Sequence, residues 1–194
     1  MALTVTTAPE AEPISVAEAK AHMRVDAATE NDLITALIVT ARQSVELWMH
    51  RSLITQTLKL TLDGWPAVIH LPRGPVQSIS SIKYYDSAGD QQTLSSDEYQ
   101  SDLLNNIPRV TTEPTSSWPS TESGRMNSVE INYVAGYGDE SADVPGPIKQ
   151  AMLLLISEWF EQREAVIVGT IVSQLPFAVE MLLTQYDISG SLNY

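Results

Sequence analysis

Gly136-Tyr137-Gly138-Asp139-Glu140-Ser141 is the stretch of this chain that most nearly imitates a nucleotide-binding turn, lying after a strand-like run and before a helix-like one. Its chemistry is wrong for phosphate. Asp139 and Glu140 stand where a pyrophosphate needs the positive end of a helix, the third glycine is missing, and no βαβ unit surrounds it. The three histidines, His22, His50 and His70, fall in no metal-ligand spacing. The chain has no cysteine, so thiolate nucleophiles, disulfides and cysteine-ligated zinc are excluded, and there is no G-x-S-x-G turn. Carboxylates are plentiful: Glu158, Glu161 and Glu164 recur every three residues near the end of an apolar helix. With Trp65, Tyr85 and Trp118 as aromatic platforms they are the raw material of a glycosidase. A solvated acidic face explains them more simply. Trp118-Pro119, in a polar loop, either folds back onto the body or is presented to a partner. The residues therefore assemble no catalytic set, no cofactor site and no metal site, and a carbohydrate-active enzyme or ligand-binding module stands only as an alternative.

The composition narrows the remaining classes. At 194 residues the chain is long enough for one sizeable core or two small ones, and 43% hydrophobic residues place it among folded proteins. Eleven Lys and Arg against 24 Asp and Glu give a net charge of −13, a poor match to a phosphate backbone, which is gripped by clustered cations. The longest near-continuous apolar run, Ala151 to Ile156, falls far short of the roughly 20 residues that span a bilayer, so no membrane partner is expected. The opening MALTVTTAPEAEP lacks the basic start and long apolar region of a signal peptide.

The elements that must position these residues follow from periodicity. Residues 1–12 read as an extended arm. Ser15 and Glu18 have the spacing of a capping box and open a helix to about Arg24. Thr29 and Asp32 repeat that pattern before a second helix, from about Glu30 to His50, with Leu33, Ile34, Leu37, Ile38, Ala41, Val45 and Trp48 on one face. Strict alternation of Leu58, Leu60 and Leu62 then marks a strand, followed by strands at Val68–Leu71 and Val76–Tyr85. In the latter the apolar phase slips between Val76 and Ile79, as at a bulge. Asp86–Asp90 is a turn, Gln91–Leu94 and Tyr99–Leu103 are weak strands, Thr111–Ser128 is a long polar loop, and Val129–Val134 is a strand. Helices at both ends and strands between them predict an α+β fold.

A helix opened by Pro145 or Pro147 carries Ile148, Met152, Leu155 and Trp159 in one stripe. Leu153, Leu154, Ile156 and Phe160 widen the arc beyond 100°, which demands burial on more than one side. The segment containing Ile167 and Ile171 is too apolar for an idle linker and too short and glycine-broken for a stable lone helix. A second short helix follows Leu175-Pro176-Phe177, with Phe177, Met181, Leu182 and Tyr186 apolar. These residues, with Trp118, are the candidates for contacts with a partner or with another copy.

Five stretches, in order, resemble one family: Glu12–Asp26 its opening helix, Leu53–Thr57 the start of its β block, Leu71–Ile79 the proline-flanked turn and strand, then Tyr133–Gly138 and Trp159–Gly169. The family is that of the head–tail connector, or adaptor, proteins of tailed bacteriophages and prophages, in the gp6-like or gp8-like branch. The resemblance implies a structural virion protein and no enzyme, with another tail-joining protein as the alternative. It implies a small helical bundle of two N-terminal and two C-terminal helices (1–52 and 139–194) with an inserted block of short, mainly antiparallel strands (53–138), in a single domain. It further implies a ring, commonly of twelve subunits, beneath the portal in the virion neck, assembled from protein made in the host cytoplasm. Such a ring completes the head, extends the DNA channel and docks a neck stopper or tail-completion protein. DNA passes without specific binding, and an acidic lumen repels its phosphates.

Overall fold

Ser15 and Glu18 close the reciprocal cap that their spacing predicts. The Glu18 amide donates to Ser15 Oγ at 3.1 Å, and Glu18 Oε2 accepts from the Ser15 amide at 2.8 Å. The computed structural model describes residues 1–162 and 176–188. Within it α1 spans Val16–Met23 and ends on Arg24 in the left-handed region. The helix α2 spans Asn31–Met49. Thr29 does not cap it: a 3-10 turn over Ala28–Glu30 moves the start, and Glu30 stands at the cap position without a side-chain capping bond. The helix α3 spans Gly146–Glu161 with Pro147 in its first turn, and α4 spans Phe177–Leu183.

Between α2 and α3 lie most of the strands: β2 (Gln56–Leu62), β3 (Ile69–His70), β4 (Val76–Tyr85), β5 (Gln91–Thr93), β6 (Tyr99–Asp102), β7 (Arg109–Thr112) and β8 (Val129–Ala135). Residues 1–12 are not simply an arm, because Ala2–Thr7 form β1, antiparallel to β2. The chain divides into two compact units. One holds Met1–Glu10 and Thr55–Tyr137, and the other holds Ala11–Ile54 and the described residues from Gly138 onward.

The β unit contains a five-stranded sheet, β1-β2-β8-β4-β5, and a three-stranded sheet, β3-β7-β6, all of whose pairings are antiparallel. Alternate residues of β2 and β8 are buried, so Leu58 and Leu60 lie opposite Tyr133 and Ile131 in the core. The slip foreseen in β4 is real and has a clear use. Val76, Ile79 and Ile82, three apart, pair with Ala135, Tyr133 and Ile131, two apart, because β4 shifts register between Val76 and Ser78 and again between Ile79 and Ser81. Each extra residue absorbed by a bulge returns the next apolar side chain to the same face. Tyr133 is fully buried and its hydroxyl donates to the Pro72 carbonyl at 2.6 Å.

The strand β7 falls where the sequence reads as the start of the polar loop. Val110 is fully buried and pairs with Ile69, which gives four short residues a partner that no local pattern announces. The loop after it is pinned to the sheet. Glu122 donates its amide to the Tyr85 carbonyl, the Arg125 guanidinium lies 3.5 Å from the Tyr85 ring centroid, and Ser128 Oγ donates to the Asp63 carbonyl at 2.8 Å.

In the helical unit α1 packs on α2 and α3, α2 on α3, and α3 on α4. The buried face of α2 is Ile34, Ile38, Ala41, Val45 and Met49, with Arg42 and Glu46 among them, while Leu33 is exposed and Trp48 half-buried. Ile54 and Gly138 meet in a parallel bridge, so the chain leaves this unit and returns to it at neighbouring points.

Candidate functional site

Two side-chain systems tie the elements of the helical unit together. The first is a buried ionic set. Arg42 Nε donates to Glu12 Oε2 at 2.8 Å and its Nη1 to Glu46 Oε2 at 3.2 Å, while Glu46 Oε1 accepts from the Leu53 amide at 2.9 Å. Burial is the largest influence on the Arg42 guanidinium and pulls its pKa down; the two carboxylates outweigh it and leave the net shift upward. The pair belongs on α2 by its i, i+4 spacing, and Glu12 reaches it from the segment before α1.

The second system ties α1, the turn before α3 and α3 itself. Lys149 Nζ donates to Glu18 Oε1 at 3.1 Å and to Ser141 Oγ at 2.8 Å, and Ser141 Oγ donates to the Pro13 carbonyl at 2.6 Å. The Ser15 backbone amide, the Ser15 hydroxyl and Lys149, in that order, draw the Glu18 carboxyl down to about 2. Gly138 is required here by space alone: a Cβ would land inside the Asp143 carboxylate, which accepts from the Glu140 amide. The GYGDES stretch thus leads into a turn closed by the Asp143 carboxylate just beyond it.

The candidate contact residues separate cleanly. Ile148, Met152 and Leu155 are buried inside the helical unit, and Trp159 is half-buried at the far end of α3. On α4 the seven residues divide by face. Val179 and Leu183 are buried, Leu182 is half-buried, and Phe177 and Met181, one helical turn apart, are 76% and 62% exposed. Tyr186 is half-buried in the 3-10 turn Thr184–Tyr186, and its carbonyl accepts from Arg51 Nε at 2.6 Å. The Ile188 amide adds a bond to the Met49 carbonyl at 3.3 Å. His50 ends α2 in the left-handed region with Nδ1 3.9 Å from Asp187 Oδ1, beside this strap, and its side chain is partly exposed. Ile167 and Ile171 lie outside the described residues.

Trp118 takes the folded-back alternative. It stacks on Trp65 with centroids 4.6 Å apart and an interplanar angle of 7°, and its Nε1 donates to the Pro66 carbonyl at 2.8 Å. The Trp65–Trp118 stack and Arg125 over Tyr85 each occupy one face of the rings involved. Among the described residues no group of three or more His, Asp or Glu is placed to hold a metal ion. What sequence reasoning missed is the Glu12–Arg42–Glu46 set; the i, i+4 charges on α2 were the available signal.

No curated protein matches this chain in sequence. Its fold does match solved structures. A chain from the neck of an empty gene transfer agent (GTA) particle, computed with C6 symmetry, superposes with a TM-score of 0.78 at 24% identity, over 96% of this chain and 95% of that one. A chain from the virion of a native GTA particle scores 0.77 and one from the neck of a native GTA particle, computed with C12 symmetry, scores 0.71, both with the same identity and coverage. The family profile of phage gp6-like head-tail connector proteins matches residues 13–114. That span takes in the opening helix, the start of the β block and the proline-flanked turn, while Tyr133–Gly138 and Trp159–Gly169 lie beyond it. The match covers more than half of the 194 residues, and with the α+β architecture it establishes a structural protein that belongs to the phage gp6-like head-tail connector family.

Proposed function

We propose that the protein is a subunit of a virion neck ring, of twelve copies when assembled, which sits beneath the portal, extends the DNA channel and docks a stopper or tail-completion protein. The observation that carries this is the outward face of α4. A connector subunit needs apolar surface left for neighbours, and Phe177 and Met181 supply it on a helix anchored from behind by Val179 and Leu183. The cyclic symmetry of the GTA necks with the same fold supports the ring. The core positions Ile148, Met152 and Leu155 then hold α3 as the platform for α4, and Trp159, Leu182 and Tyr186 form the rim of the contact. Before assembly the subunit stays in the host cytoplasm, where the −13 charge keeps copies apart; in the ring the same charge lets DNA slide past unbound.

The test is the mass of the purified chain, alone and mixed with the portal assembly of the same particle. A ring-sized complex is expected with the portal. Phe177→Asp with Met181→Asp is expected to abolish it while shifting monomer stability by no more than about 0.5 kcal/mol, as for exposed positions. A wild-type chain that stays monomeric with the portal present sinks this reading.

A further inference from the structure

The two free edges of the five-stranded sheet, β1 at one side and β5 at the other, are matched in chemistry. Among the described residues no strand pairs with the outer side of either. Exposed edges are usually blunted by charge, proline, a bulge or a very short strand, because their unpaired amides and carbonyls accept any passing strand. In this sheet β5 has only three residues and β1 bulges after Val5, but charge and proline are absent from both. Here Met1–Pro9 contains no Asp, Glu, Lys or Arg, and neither does Gln91–Ser96, in a chain with 24 acidic residues. Proline is absent from both β1 and β5. The edge β1 is in regular register over Ala2–Val5, its bulge coming after Val5, and Val5 is 46% exposed. All three β5 residues are exposed.

Direction adds a second argument. Each of the four neighbouring pairs from β1 through β2, β8 and β4 to β5 is antiparallel, so the first and fifth strands run the same way. An edge-to-edge contact that continues the sheet between two copies is therefore parallel and joins two different surfaces. That is a heterologous contact, the kind that forms a ring where the rotation from copy to copy closes. The side chains of β1 and β5 themselves are neutral; charges close to them include the Met1 ammonium, 3.8 Å from Asp63 Oδ2, and the Asp86 carboxylate, which accepts from Gln92 Nε2 at 2.8 Å.

We propose that the β1 edge receives the β5 edge of a second copy of this chain, continuing the sheet from subunit to subunit. This rests on the ring reading above. A three-residue parallel seam is weak. It adds to the other contacts that gather the neighbours and sets their register.

The chain has no native cysteine, so a two-site crosslink tests the seam directly. Full-length protein carrying Val5→Cys and Thr93→Cys is treated with a short bismaleimide, alone and with the portal assembly, beside each single variant. The expected result is a covalent ladder of successive copies from the double variant and no such ladder from either single one. Efficient dimers from Val5→Cys alone mean that β1 pairs with β1 and overturn the proposal. Rings visible by native mass spectrometry with no ladder overturn it while leaving the ring intact. No assembly of any kind in the wild type overturns both, the ring reading first. As a second variant, Val5→Lys is expected to raise the concentration needed for ring formation at least tenfold with an unchanged melting curve; unchanged assembly counts against the seam.

Discussion

Arg51 reaches across 135 residues of sequence to the Tyr186 carbonyl, at 2.6 Å. The guanidinium of a residue just after α2 thereby holds the chain just after α4, beside the bond from the Ile188 amide to Met49. Arg51→Ala is expected to destabilise the protein by about 1.5–3 kcal/mol, the range for hydrogen bonds from a charged donor. Hydrogen exchange should show lost protection at Asp187 and Ile188 before any change in α2. Uniform loss across both elements would mean that Arg51 acts on the whole unit and not on the strap.

The buried ionic set makes a sharper prediction. Removing Arg42 leaves Glu46 without its cation in a site where its side chain is 3% exposed. Arg42→Ala is expected to cost about 3–5 kcal/mol. Glu12→Gln should cost about 1 kcal/mol or less, because Glu12 is partly solvated. Urea unfolding of the two variants checks the ratio.

Glu18 gives the acid limb of stability a defined source. Its folded pKa is depressed to about 2 from 4.5, so its contribution is present in full above about 4.5 and disappears as pH falls toward 2. Glu18→Gln should flatten the pH dependence of melting in that window and leave it unchanged at neutral pH and above. Ser15→Ala, which removes the cap from the other side, should cost about 1 kcal/mol.

The stacked Trp65–Trp118 pair should give a near-ultraviolet circular dichroism signal that Trp118→Ala abolishes. A loss of roughly 1–3 kcal/mol is expected, below that for a fully buried tryptophan, because Trp118 is half-buried. An unchanged spectrum would mean that the pair does not stack in solution.

How much of this was legible beforehand depended on the range of the interaction. The Ser15–Glu18 cap, the alternation of β2 and the slip in β4 are local patterns, and each appears in the structure. The strand β1 was hidden because its partner β2 begins at Gln56 and because small polar residues read as coil. The strand β7 was hidden for the same reason, with its buried residue Val110 answering to Ile69. Periodicity placed α2 correctly and erred on its faces: it assigned Leu33 and Trp48 inward and could not anticipate that Glu12 and Arg42 would bring Glu46 inside. Of the candidate surface, α4 was foreseen as a helix, but only the fold divides Phe177 and Met181 from Val179 and Leu183. The fate of Trp118 likewise depended on Trp65 and Pro66, which lie more than fifty residues away.

The bridge between Ile54 and Gly138 has a consequence for how this protein can diversify. Because the chain departs and comes back side by side, the helical unit sets almost no condition on the length or content of what is carried between those points. The strands are a cassette on a helical chassis. Exchanging it takes three joins, two at that doorway, after Ile54 and before Gly138, and a third after Glu10, since β1 travels with the cassette. A chimera built at those three joins should keep the Glu12–Arg42–Glu46 set and the Arg51 strap whole.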